Sequence, residues 1–311
     1  GSGRVAMAAG GGESTSRGVA GAATTQNTAH SGGGDGVGIV GGEEVSWPWN
    51  EMGMDADAAE LFSAWALSFV VSIALLLTWR FLIAPEIPGH QTRSQADRVM
   101  LANSVVSCYP ALTGPFLAIG ALWHMPLGDN ALVLVAPPSQ LALRAIGLSC
   151  GYMLYDTLYC IWNKPIRSPL IIFHHVLSIV FFPYATLRHR CILLMLFFVI
   201  TEITNIGQHF RIILLKLGYE KTRSYLVNGV SWAAAFFVVR ILPSPYFFYK
   251  IVYASYSEFT NFDFYLAHCL MPIPFMLNSF WFWMLFTGII KFINKEPPRP
   301  VTTKAAGKKD H

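Results

Sequence analysis

The chain has 311 residues, 53% of them hydrophobic and only 13% charged, with a formal net charge of +4 at neutral pH. Ordinary soluble domains carry about 25% charged residues, so this composition argues against a water-soluble enzyme. The five cysteines are scattered singly, without the spacing of a metal or redox motif, which argues against a disulfide scaffold and reads them as small buried hydrophobes.

Residues 1–60 are rich in Gly, Ala, Ser and Thr and hold eight acids against two arginines. Such a stretch cannot bury enough apolar surface to offset the entropy of ordering, and it reads as a disordered acidic tail. Seven apolar segments follow, approximately 61–83, 99–123, 140–161, 169–187, 192–216, 226–250 and 266–290. Each is close to the roughly 20 residues that a bilayer-crossing helix needs. Backbone groups in hydrocarbon must be satisfied within their own segment, so the spans are helices. The expected fold is all-α, a polytopic integral membrane bundle of about seven transmembrane helices over 61–293. The fourth segment is the shortest and the sixth is interrupted by Pro243 and Pro245, so six spans with one re-entrant helix is the alternative. Residues 294–311 read as a basic tail.

Lys and Arg are retained on the cytosolic side of a membrane. With a cytosolic C-terminus, the cytosolic loops and tail collect fourteen basic residues, while Arg144, Arg188, Arg190 and Lys250 face the other way. This asymmetry predicts a cytosolic tail and, with seven spans, a lumenal N-terminal segment. The chain ends Lys308-Lys309-Asp310-His311, which matches the dilysine address that returns membrane proteins to the endoplasmic reticulum. Residence there, or in the Golgi, and contact with retrieval machinery through Lys308 and Lys309 are the expectations. Basic residues gather at helix ends instead of along one aromatic-laced face, so nucleic acid is not an expected partner.

Short soluble-enzyme motifs are absent: there is no phosphate-binding glycine loop, nucleophile elbow or zinc-protease helix. What remains is a set of ionisable residues at membrane depth, which are costly there and mark function. Asp156 lies late in the third span, flanked at three or four residues by Tyr152, Tyr155 and Tyr159. His174 and His175 come about one turn into the fourth span, so by length they can meet Asp156 near one membrane face. Adjacent histidines diverge by about 100° around a helix, so one is free to react while the other orients. In the fifth span Glu202, Asn205 and His209 share one helix face. Arg211 and Arg240 are free either to pair with these acids or to snorkel toward an interface. Single asparagines such as Asn228 and Asn278 fit ordinary interhelical hydrogen-bond glue, worth roughly 0.6–2 kcal/mol. Four ionisable groups exceed what packing requires.

An Asp near the end of one span, a short loop, a His-His pair early in the next and an acid with a hydroxyl residue in the one after resemble the TLC domain. In this sequence they are Asp156, His174-His175 and Glu202-Ile203-Thr204. That superfamily comprises the ceramide synthases, a translocon-associated protein, a neuronal ceroid lipofuscinosis protein and several small TLC-domain-containing proteins, and the match covers approximately 60–293. The sparse polar surroundings of the His pair are more similar to the small TLC-domain-containing proteins. Asn103 and Ser107 fit a second-span pattern of those proteins, although Cys108-Tyr109-Pro110 follow where their His stands. The resemblance implies endoplasmic reticulum or Golgi membranes and a role in lipid metabolism or homeostasis.

For an enzyme, the chemistry suited to this set is acyl transfer from acyl-CoA to a lipid amine or hydroxyl. A neutral imidazole serves as general base or nucleophile. The catalytic candidates are His174, His175 and Asp156, and the substrate-binding candidates are Glu202, Asn205, His209 and Tyr155. Phe181, Phe197 and Phe236 are expected beside the acyl chain. No tightly bound cofactor or metal is expected, acyl-CoA being a co-substrate and membrane lipids the partners; homo-oligomerisation stays open. The competing class is a non-catalytic lipid-binding protein, membrane-composition regulator or cargo adaptor. A haem reading would need facing histidines at matched depth, for which only His209 is a candidate.

Overall fold

The computed structural model describes residues 38–40, 43–45, 54–125, 137–253, 256 and 259–293. Two units separate, Gly1–Trp47 and Pro48–His311. In the first, strands β1 (Gly38–Val40) and β2 (Glu43–Val45) pair antiparallel, with Gly38 opposite Val45. In the second, helix α1 begins at Met54. Most of the segment 1–60, read from the sequence as a disordered tail, lies outside the described residues. The dilysine residues Lys308 and Lys309 lie outside the described residues.

The second unit is all-helical. Its elements are α1 (Met54–Thr78), α2 (Gln95–Trp123), α3 (Gln140–Trp162), α4 (Pro169–Leu187), α5 (Ile192–Thr201), α6 (Asn205–Lys216), α7 (Arg223–Phe236), α8 (Ser244–Val252), α9 (Asn261–Leu270) and α10 (Pro272–Ile293). Ser94, Ser139, Thr222 and Thr260 start α2, α3, α7 and α9 by accepting from backbone N–H groups three residues on, which satisfies donors that a helix start leaves free. A 3-10 turn, Glu202–Thr204, joins α5 to α6, so the two form one span with a tightened middle. A π-helical turn, Phe237–Ile241, carries α7 on toward α8. Pro243 and Pro245 thus redirect the sixth span and do not end it.

Among the described residues, six helical stretches are long and apolar enough to cross a membrane: Ala56–Glu86, Gln95–Trp123, Pro169–Leu187, Ile192–Lys216, Arg223–Val252 and Asn261–Lys291. The protein is an integral membrane protein. The stretch outside this set is α3, whose 23 residues reach about 35 Å at 1.5 Å each. It is less apolar because it is the most enclosed. Fourteen of its residues are buried, among them Gly147, Ser149, Gly151, Tyr152 and Asp156.

Gly147 and Gly151 let α1 and α3 touch backbone to backbone. A Cβ at Gly147 would overlap the Leu61 carbonyl oxygen, and one at Gly151 would overlap that of Trp65. This small-residue spacing is the way membrane helices gain van der Waals contact when lipid offers no hydrophobic incentive. Behind α3, helix α5 is apolar almost throughout. Its Phe197 and Phe198 pack with Phe182, Phe247 and Phe275 in an aromatic core. Cys191, in left-handed backbone geometry just before α5, is buried, and burial pushes its thiol up to about 12. It is a packing residue, as Cys150 is.

Candidate functional site

Where α3 ends, α4 begins and the fifth span tightens, the bundle leaves a cavity of about 790 Å³. Its wall includes Asp156, His174, His175, Glu202, Asn205 and His209. Three separate helices thus bring together residues that the sequence places 53 positions apart from first to last.

Asp156 and His175 are both buried, with Asp156 Oδ2 3.5 Å from His175 Nδ1. That separation is an ion-pair distance, longer than a formed hydrogen bond, and such contacts commonly tighten when substrate fills a site. Because Nδ1 faces the acid, Nε2 occupies the opposite edge of the imidazole. Cys160, one turn after Asp156, turns its thiol to Oδ2 at 3.8 Å. His174 takes a different direction, edge-on to the Trp281 indole of α10 with ring centroids 5.4 Å apart. The pair is therefore split: His175 faces the carboxylate, and His174 faces an aromatic wall.

Glu202 is held by a residue that the sequence left undecided. Arg240, buried within the π-helical turn, sends Nη2 to Glu202 Oε1 at 3.4 Å, to Asn205 Oδ1 at 2.9 Å and to the Thr201 carbonyl at 2.8 Å. Its Nε donates to Thr204 Oγ1 at 2.8 Å and its Nη1 to Asn278 Oδ1 at 3.0 Å. Asn205 Nδ2 completes the cage by donating to Glu202 Oε2 at 2.6 Å. A buried guanidinium is tolerated only when its donors are satisfied, and here one side chain ties the fifth, sixth and seventh spans together. The π turn makes this reach feasible, since the widened turn presents Arg240 toward the 3-10 turn across from it. The residue does not snorkel. Asn278 is more than generic glue, because its acceptor is committed to this cage.

Other candidates fall differently. Tyr155 is buried outside the cavity wall and stacked on Tyr159, its hydroxyl without a partner. The place expected for it belongs to Tyr152, which lines the cavity and donates to Ser107 Oγ at 2.6 Å. The difference is one of helix phase, since both tyrosines flank Asp156 and only one side of α3 faces the cavity. Phe236 lines the cavity, whereas Phe197 belongs to the aromatic core and Phe181 is not part of the wall. Asn103, noted in the sequence for its second-span pattern, also lines the cavity, and sequence reading missed Trp232 and Trp281, which gave no signal beyond being aromatic in apolar spans.

Several buried polar atoms at this wall lack partners: Asp156 Oδ1, Asn103 Oδ1, Trp232 Nε1, and Nδ1 of both His174 and His209. Such orphans are rare in folded proteins, and their concentration on one cavity marks a place for a polar ligand or water. Among the described residues, no group of three or more His, Cys, Asp or Glu is arranged to hold a metal ion.

Comparisons with known proteins identify relatives of this chain. A TLC domain protein 4 A of Dictyostelium discoideum is 24% identical over 76% of this chain and 92% of its own length. TLC domain-containing protein 4-B of Danio rerio is 26% identical over 61% of the chain and 74% of its own. TLC domain-containing protein 2 of the same fish is 25% identical over 54% and 73%. The TLC domain family model matches residues 99–287, which contain every residue of the polar cavity wall described above, and the chain belongs to the TLC-domain family.

Proposed function

We propose that this protein acts in lipid metabolism in the endoplasmic reticulum membrane, transferring an acyl group from acyl-CoA to a lipid amine or hydroxyl. The observation that carries this reading is the buried His175–Asp156 pair, with its 3.5 Å separation, in the wall of a 790 Å³ cavity that has both polar and apolar lining. Asp156 fixes the imidazole tautomer and stabilises the imidazolium, which leaves Nε2 as the base. The base takes the proton from the lipid amine or hydroxyl as that group attacks the thioester carbonyl. The new C–N or C–O bond forms, the C–S bond breaks, and the proton passes to the departing thiolate. His174 and Trp281 close one side, and the Arg240 cage keeps Glu202 in place without spending it on chemistry.

Charge asymmetry supports a cytosolic mouth for the cavity, because Pro165 to Ser168 line it and connect α3 to α4 on the Lys/Arg-rich side. A water-soluble thioester would enter from that side.

Acyl transfer in microsomes tests the reading. His175→Ala should lower turnover roughly hundredfold or more, within the range a general base supplies, and Asp156→Asn should follow it. Undiminished lipid acylation in both variants would sink the catalytic role and leave a lipid-binding protein.

A further inference from the structure

The cavity has a second polar wall, between α6 and α7, that the acyl-transfer chemistry leaves unused. The two helices interlock there by exchanging glycines. Gly207 of α6 makes room for Trp232 of α7, since a Cβ at Gly207 would lie 2.7 Å from the Trp232 Cβ. Gly229 of α7 returns the favour to Arg211 of α6, whose Nη1 occupies the space a Cβ would need. Arg211 lies with its guanidinium carbon 4.0 Å from the centroid of the Tyr225 ring.

All of these groups donate. A guanidinium and an indole N–H have no acceptor capacity. Trp232 Nε1 is buried without an acceptor, and among the described residues no carboxylate pairs with Arg211. Gln208, one turn before Arg211, shares the wall. The two carboxylates of the cavity are committed elsewhere, Glu202 to Arg240 and Asn205, and Asp156 to the side of His175. The wall thus presents a cation fixed by stacking and a dry donor, with no anion to neutralise them. Its complement is a group with several acceptor oxygens and negative charge. Arg forks match phosphate in this way.

We propose that Arg211, Trp232 and Gln208 form a phosphate subsite that takes the phosphate of a chain-bearing substrate, whose chain lies beside Phe236, Met284 and Leu285. The inference rests on the reading of this cavity as a lipid site, and not on turnover. Two sources offer that chemistry, a glycerophospholipid headgroup and the phosphates of an acyl-CoA.

Native mass spectrometry of the full chain in detergent tests it, with phosphatidylcholine against diacylglycerol of the same chains and CoA against pantetheine, which lacks the phosphates. At least one phosphate-bearing ligand should be preferred roughly tenfold or more. Arg211→Gln should abolish that preference while diacylglycerol binding stays unchanged. Trp232→Phe, which removes only the N–H, should reduce it about threefold. Preference confined to the first pair identifies a lipid headgroup, and preference for CoA identifies the thioester co-substrate. Wild-type preference in both variants, or no preference in either pair, overturns the proposal. His175→Ala should keep the preference while losing turnover, so the catalytic reading and the phosphate subsite fail separately.

Discussion

The two halves of the fifth span are built to opposite purposes. In α5, eight of ten residues are buried, and Ile192, Leu194, Met195 and Leu196 are almost wholly enclosed. In α6, on the same helical axis after the 3-10 turn, none of the twelve residues is buried. One half is enclosed in the core, and the other, only half-buried, lines the cavity. The division falls at Glu202–Thr204, where the chain tightens and the Arg240 cage attaches.

The comparison breaks most severely at its hinge. Arg240→Leu leaves Glu202, Asn205 and Asn278 without their shared donor, and removing one partner of a buried pair costs roughly 3–5 kcal/mol. Thermal unfolding in detergent should show a large loss, and a variant as stable as the parent would refute the structural role of the cage. Next comes the contrast itself. Leu194→Ala should cost about 2 kcal/mol, at the low end of the range for emptied cores, since in a bilayer only packing is lost and not hydration. Ile212→Ala, on the cavity side of α6, should cost less than about 0.5 kcal/mol, as expected where no close packing is broken. Equal losses at the two positions would erase the distinction. The smallest effect belongs to Tyr155→Phe, which removes a buried hydroxyl that has no partner. Stability should stay within about 0.5 kcal/mol or rise, and acyl transfer should be unchanged; a marked loss of activity would return Tyr155 to the site.

Much of this organisation was legible in the sequence, because the bilayer leaves a chain few choices. Long apolar runs located each span, and the cost of ionisable groups in hydrocarbon singled out Asp156, His174, His175 and Glu202, all of which line one cavity. What the sequence hid was direction around the helix. Tyr152 and Tyr155 look equivalent beside Asp156, yet Tyr152 lines the cavity while Tyr155 stacks on Tyr159 outside its wall. The fate of Arg240 was hidden for a related reason. Its reach depends on a π-helical turn, and a single widened turn leaves no trace in apolar periodicity. The glycine exchange between α6 and α7 was likewise beyond reach, since it joins residues of two spans whose relative register no local pattern specifies.

Helix α3 carries a consequence for how the protein is made. It combines Arg144, near one end, and Asp156, toward the other, in one span, and ionisable groups make a helix harder to insert the deeper they lie. Standing alone, α3 is a poor candidate for leaving the translocation channel. Helix α1 precedes it and supplies what it lacks: Glu60 pairs with Arg144, and Leu61 and Trp65 receive Gly147 and Gly151. Its least lipid-soluble face is thus covered by the helix that precedes it in the chain.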